Sequence, residues 1–166
     1  MGGKIWFSSI PGKGTTFSFT LKTGVVTTIQ SNELSDSDVQ KSGYKLHVLV
    51  AEDNDINTMV IKKYLEKLGH TFTLVENGSK VLEALGNETF DVILMDCQMP
   101  VMDGHEATKK IIEHYGSHRP RIIALTAGVT HQEQAKCHQS GMDEILTKPL
   151  QINELELKLR PIKEAA

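Results

Sequence analysis

Cysteine is scarce in this chain: Cys97 and Cys137 are the two in 166 residues, and they form no CxxC pair. No disulfide and no zinc site is expected of them, and both residues read as reduced core thiols. No stretch approaches the ~20 apolar residues of a transmembrane helix. The start also lacks the cationic and apolar regions of a signal peptide, so a cytoplasmic chain without direct membrane insertion is expected, any anchor belonging to a longer parent protein. Myristoylation is excluded as well, because Trp6 stands where that motif needs Ser or Thr. Basic residues show no excess, with 18 Lys and Arg against 21 Asp and Glu for a formal charge of -3. A nucleic-acid backbone is therefore not the expected partner. The length suits one well-packed domain with a small appendage, and a monomer is expected.

Residues 4 to 22 alternate as strands do, with Ile5 and Phe7 before a Pro11-Gly12-Lys13-Gly14 turn and Phe17, Phe19 and Leu21 after it. A two-stranded hairpin of this size cannot form a core alone, so it reads as a piece of something larger. Residues 24–43 are polar and aperiodic, the composition of a linker. From Tyr44 on, short β-branched runs alternate with helical periods: Leu46 to Ala51, Phe72 to Val75, Val92 to Met95, Arg121 to Leu125 and Glu144 to Leu146. Five strands interleaved with helices predict an α/β fold with a parallel sheet. The first helix carries Ile56, Val60 and Tyr64 with the offset set Ile61, Leu65 and Leu68, and Gly69 is placed to cap it. Thr130 to Glu133 spells a capping box opening a helix from about His131 to Ser140, in which hydroxyl and carboxylate each satisfy a backbone N–H. Ile152 to Leu159 fits both periods; the alternation of elements favours a helix of roughly three turns, ended by Pro161. The domain closes near residue 160, leaving 161–166 as a tail.

Ligands of an open parallel sheet bind beyond the carboxyl ends of its strands. Those ends carry Glu52 and Asp53 after the first strand, Asp96 after the third, Thr126 after the fourth and Lys148 after the fifth. Three carboxylates that close repel one another unless protons or a cation join them. A hard divalent ion suits an all-oxygen set, and Mg²⁺, which takes one or two carboxylates plus phosphate oxygens, fits better than Ca²⁺. Phosphoryl-transfer chemistry then assigns Asp96 as nucleophile, Lys148 as a point charge for phosphoryl oxygens and Thr126 as the hydroxyl that reports the phosphate.

Four motifs occur in order: Val50-Ala51-Glu52-Asp53-Asn54, then Leu94 to Gly104 with the run Met95-Asp96-Cys97-Gln98-Met99-Pro100, then Ala124-Leu125-Thr126-Ala127, then Lys148-Pro149. Together they resemble the receiver domain of response regulators over residues 44–160. The resemblance implies a flavodoxin-like five-stranded sheet in the order 2-1-3-4-5 with helices on both faces. It further implies Mg²⁺-dependent transfer from a phosphohistidine to Asp96, a metal site of Glu52, Asp53, Asp96 and the backbone carbonyl of Gln98, and a Lys148-Pro149 peptide that is often cis. Such a module is a self-catalysed phosphoacceptor rather than an enzyme. The wording of the central motif, with Asn54 and Asn57, is most similar to receivers attached to hybrid histidine kinases. Gly3 to Ser9 and Pro11 to Phe17 resemble the last two strands of a histidine-kinase ATP-binding domain with its final glycine box, so residues 1–23 are expected to be its C-terminal remnant, which binds no ATP because the asparagine, first glycine and phosphohistidine boxes of that family are absent from this sequence. Ile145 occupies a position where many receivers carry Tyr or Phe, which removes a ring-flip readout. The implied role is a relay whose partners are a kinase core or a histidine-phosphotransfer protein.

An alternative is a Mg²⁺-dependent aspartyl-phosphate hydrolase of small phosphate esters, which also uses an Asp nucleophile. Such enzymes usually place a second aspartate two residues on as general acid, and Gln98 cannot donate that proton. A flavin carrier is disfavoured because acids after the first strand repel a cofactor phosphate. Asn54 serves equally as helix cap or site residue, His114 and His118 read as a solvated pair without a third ligand, and Asp103-Gly104 as loop and helix start. Cys97, next to Asp96 on a strand, is expected to turn to the opposite face and pack.

Overall fold

The computed structural model describes residues 3–20, 43–128 and 130–160. The expected tail at 161–166 and the expected linker at 24–43, except Gly43, lie outside the described residues. The chain divides into two compact units, Met1–Asp38 and Val39–Ala166.

In the first unit, β1 (Ile5–Ile10) pairs antiparallel with β2 (Gly14–Phe19), as the alternation predicts. Gly12 and Gly14 turn the chain at φ 75° and 107°, a backbone that a residue with a Cβ rarely adopts. The register sets Ile5 opposite Phe19 and Phe7 opposite Phe17, with the latter ring centroids 5.7 Å apart. All four side chains remain exposed.

The second unit holds β3 (His47–Ala51), α1 (Asp55–Leu68), β4 (Thr71–Val75), α2 (Gly78–Asn87), β5 (Val92–Asp96), α3 (Gly104–Tyr115), β6 (Arg121–Thr126), α4 (His131–Gln139), β7 (Glu144–Thr147) and α5 (Ile152–Leu159). Its five strands are all parallel in the order β4-β3-β5-β6-β7, the flavodoxin-like arrangement. Alternate residues of each strand feed two core layers. Leu49, Ile93, Met95 and Ile122 pack with Val81, Ala107, Ile111 and Cys137 of α2, α3 and α4. Val48, Leu94, Ile123 and Leu125 pack with Ile61, Leu65 and Leu68 of α1 and with Leu155 and Leu159 of α5. Helices on both faces explain why β5 is buried throughout and reads as an unbroken apolar run up to its terminal aspartate.

Local signals stop the helices where the site needs the chain to turn. Asn54 Oδ1 accepts from the backbone N–H of Ile56 and Asn57 at 3.0 and 3.1 Å, and Gly69 ends α1 in the left-handed region at φ 84°. At α4 the Thr130 hydroxyl accepts from Glu133 N–H at 3.3 Å. The expected capping box closes differently on its second half: the Glu133 carboxylate takes the Thr130 hydroxyl proton at 2.6 Å. The last helix is shorter than the expected three turns, since its eight residues make about two. Arg160 leaves the helical region at ψ 134°, so the helix stops at Leu159, and the expected stop residue Pro161 lies outside the described residues.

Opposite the carboxyl ends of the strands, Arg119 grips Asp143 with two hydrogen bonds of 2.6 and 2.7 Å while Asp143 Oδ2 accepts from Ile122 N–H at 2.7 Å. Burial raises the Asp143 pKa, but Arg119 and the Ile122 N–H outweigh it and leave the carboxyl below its ordinary value. Asp143→Ala strips these partners and is expected to destabilise the domain by about 2 kcal/mol, measured by urea unfolding. No change in midpoint would remove the clamp from the stability account. Near the end of α1, burial pushes His70 below its ordinary pKa of 6.5, against the opposing charge of Glu156. Its Nδ1 accepts from Leu46 N–H at 3.3 Å, a role that protonation abolishes. The unfolded chain thus binds the proton more readily, so His70 adds stability that is full above pH 6.5 and declines as pH falls towards the lowered folded value. The unfolding midpoint is expected to drop across that window, and His70→Asn, which keeps an acceptor near Nδ1 and cannot titrate, should flatten the slope; an unchanged slope counts against this assignment.

Candidate functional site

Three strand ends deliver the acids. β3 stops at Ala51, and Glu52 N–H donates to Val75 O at 3.0 Å, which turns its side chain inward until it is 4% exposed. Asp53 follows at the surface. Asp96 ends the central strand β5 and is 6% exposed. Carboxylate oxygens of Glu52, Asp53 and Asp96 all lie within 4.8 Å of one another.

Lys148, just past β7, reaches the same point. Its Nζ donates to Asp96 Oδ2 at 2.6 Å and lies 2.7 Å from Glu52 Oε2. Burial disfavours the ammonium charge, but the hydrogen bond to Asp96 and the charges of Asp96 and Glu52 prevail and lift its pKa above the ordinary value. A backbone bond places it: Lys148 N–H donates to Thr126 O at 2.8 Å. The Lys148-Pro149 peptide is cis, as the resemblance implies. The remaining oxygens are held individually. Asp96 Oδ1 accepts from Gln98 N–H at 3.0 Å, and Glu52 Oε1 accepts from Asn57 Nδ2 at 2.8 Å. Glu52 Oε2 is buried and, although ion-paired with Lys148, receives no hydrogen bond of proper direction. Thr126 ends β6 with its hydroxyl accepting from Gly128 N–H at 3.0 Å. With Asp53 and Gln98 it lines a cleft of about 570 Å³.

At formal charges, three carboxylates against one ammonium leave the cluster at -2, with an incompletely satisfied oxygen on Glu52. That deficit fits one divalent cation with oxygen ligands. A tight backbone approach preserves the geometry: a Cβ on Gly104 would collide with the carbonyl oxygen of Asp96 and with Met95, so α3 starts directly against the phosphoacceptor candidate. Asp103 caps α3 by accepting from Glu106 N–H at 2.8 Å, the structural role expected for it.

All the residues singled out at strand ends therefore converge. Asn54 acts as a cap, and His114 packs edge-on against Tyr115. Two features escaped the sequence. Asn57 supports Glu52, a contact that helical spacing alone leaves unassigned. Cys97 and Cys137 meet with their sulfurs 3.5 Å apart, beside His105, across a separation of 40 residues that carries no local signal.

The family model of the response regulator receiver domain matches residues 48–160. The chain is 43% identical over 123 residues to the hybrid signal transduction protein dokA of Dictyostelium discoideum, covering 73% of this chain and 7% of that protein. It is 32% identical over 161 residues to the aerobic respiration control sensor protein ArcB of Escherichia coli (strain K12), covering 96% of this chain and 20% of that one. It thus spans a small part of these relatives. Among solved structures, the receiver domain of sensor histidine kinase PA1611 from Pseudomonas aeruginosa PAO1, with a magnesium ion coordinated in its active site cleft, superposes with a TM-score of 0.64 at 37% identity, covering 69% of this chain and 94% of that one. The receiver domain of Ssk1 in complex with the histidine phosphotransfer protein Ypd1 of Saccharomyces cerevisiae gives 0.64 at 33% identity, covering 69% and 86%. The matched residues include every acidic strand end and Lys148, and the chain belongs to the response regulator receiver domain family of two-component signalling.

Proposed function

We propose that this domain is a Mg²⁺-dependent phosphorelay station, taking a phosphoryl group from a phosphohistidine onto Asp96 and passing it to a histidine-phosphotransfer partner. The observation that carries this reading is the Lys148 ammonium held between Asp96 and Glu52, at 2.6 and 2.7 Å, on the carboxyl edge of the sheet. Glu52, Asp53, Asp96 and the Gln98 carbonyl are the residues to hold the ion, and the net -2 of the side-chain cluster supports it. When bound, Mg²⁺ supplies positive charge that offsets the carboxylates and the phosphoryl oxygens.

In the transfer, an Asp96 oxygen forms a bond to phosphorus as the donor's P–N bond breaks, its electron pair staying with the imidazole nitrogen. Lys148 pairs with a phosphoryl oxygen, and Gln98 N–H, already on Asp96 Oδ1, keeps the carboxylate oriented. Thr126 turns its hydroxyl from accepting Gly128 N–H to donating to the phosphate, which draws in the loop after β6. Ile145 cannot report that movement through a ring, and this supports onward transfer over a strong output-surface switch. Ile56 and Met59, one helical turn apart on α1, and Val101 in the loop after Asp96 are exposed hydrophobics on segments bordering the acids. A docking phosphotransfer protein would cover them. The hydrolase alternative is disfavoured by Gln98, which offers a leaving group no proton.

The hairpin is assigned to the end of a kinase ATP-binding domain in a hybrid parent protein, and the ArcB match, over 96% of this chain, supports that assignment. Among the described residues no helix is long and apolar enough to cross a membrane. A monomeric, cytoplasmic domain is the state proposed.

Acetyl phosphate with Mg²⁺ is expected to add one phosphoryl group by mass spectrometry and none in Asp96→Asn; equal labelling of the variant would sink the assignment. Lys148→Ala separates charge from metal binding. Phosphorylation should slow about a hundredfold, as when one donor to developing charge is lost. Titrated by calorimetry, Mg²⁺ should bind at least as tightly as in the wild type, because a competing cation has gone. Weaker Mg²⁺ binding would contradict the proposed division of roles.

A further inference from the structure

Cys97 follows the phosphoacceptor candidate, and the alternation of the strand turns it away from the acids into the α2-α3-α4 layer. There its sulfur meets that of Cys137 on α4 at 3.5 Å, and a ring nitrogen of His105 on α3 completes a set whose donor atoms all lie within 4.8 Å of one another. Both cysteines are buried, and the cleft they line with His105 is also lined by Glu133 and Lys136.

Two sulfurs bound at ~2.3 Å to a tetrahedral zinc ion stand about 3.8 Å apart, and a sulfur and an imidazole nitrogen about 3.6 Å. The observed 3.5 Å is within a few tenths of an ångström of that span. A disulfide would need the sulfurs to close to about 2.05 Å. Charge points the same way. Two thiolates, a neutral imidazole and a divalent ion sum to zero, so the occupied set carries no net charge into its buried position. Mg²⁺ prefers the oxygens of the acidic cluster, whereas sulfur and nitrogen donors select zinc-like ions.

The imidazole is prepared by an outer partner. Ser140 Oγ gives its proton to Lys136 O at 2.8 Å, so towards His105 Nδ1, also at 2.8 Å, it can only accept. Nδ1 therefore carries the hydrogen and Nε2 the lone pair, the fixed tautomer that ligating histidines have.

We propose that Cys97, Cys137 and His105 form a thiolate-imidazole site for Zn²⁺, separate from the acidic cluster, that fastens the end of β5 to α3 and α4 and leaves the fourth position to solvent. The test uses the full chain under a phosphine reductant, with Mg²⁺ in excess to occupy the oxygen ligands, titrated with Co²⁺ and then Zn²⁺. One equivalent of Co²⁺ is expected to give a thiolate-to-metal charge-transfer band with tetrahedral visible absorption, bleached by Zn²⁺. Asp96→Asn should retain the band, and Cys137→Ser and His105→Ala should lose it while remaining folded by circular dichroism. Ser140→Ala, which leaves all three ligands in place, should weaken Zn²⁺ about tenfold or more. Absence of the band in the wild type overturns the proposal whatever the variants do, as does a band of wild-type strength in Cys137→Ser. Cross-linking of Cys97 to Cys137 by glutathione disulfide, combined with no cobalt band under reduction, also overturns it and assigns the pair to redox chemistry.

Discussion

One ammonium group between two buried carboxylates organises this molecule. Lys148 sits 2.6 Å from Asp96 and 2.7 Å from Glu52, both almost wholly removed from water. A buried carboxylate without a partner costs several kcal/mol, and here one lysine serves two. The arrangement is therefore under-neutralised: it is satisfied enough to fold, and the three carboxylates against one ammonium leave it at a formal charge of -2.

The scaffold exists to hold that imbalance in place. A parallel sheet with helices on both faces aims all its carboxyl ends the same way, so residues 52, 96, 126 and 148, far apart in sequence, arrive at one edge. Backbone contacts tighten the approach that the Lys148 side chain completes. Gly104 lets α3 begin against the Asp96 carbonyl, and Lys148 N–H is tied to Thr126 O. At the opposite edge Arg119 and Asp143 close the loops with a bidentate pair. The strand also couples two chemistries through one peptide bond: Asp96 points to oxygen donors and Cys97 to sulfur and nitrogen donors.

Much of this was legible in the residues. Short β-branched runs placed the five parallel strands to within a residue, and helical stripes and caps placed α1, α4 and α5, because both faces of the sheet demand apolar side chains at fixed spacing; α2 and α3 received no bounds. Gly69 and Asn54 acted as the stop and start that their chemistry suggests. Where the reading slipped, local geometry decided. The Glu133 carboxylate turned to the Thr130 hydroxyl, and α5 spans the expected Ile152 to Leu159 in about two turns, not three.

The sequence by itself determined which groups would meet at the acidic edge, since the alternation of elements makes the strands parallel, the family resemblance implies their order, and each strand's last residue is written in the chain. Only the tertiary structure decided what each group touches: that Lys148 is shared between Glu52 and Asp96, that Asn57 holds Glu52, and that Cys97, Cys137 and His105 converge. The physical reason is range. Periodicity and capping act over a few residues and leave a trace in their spacing. Side chains on β5, α3 and α4 meet through packing across one layer, where distance along the chain carries no information about distance in space.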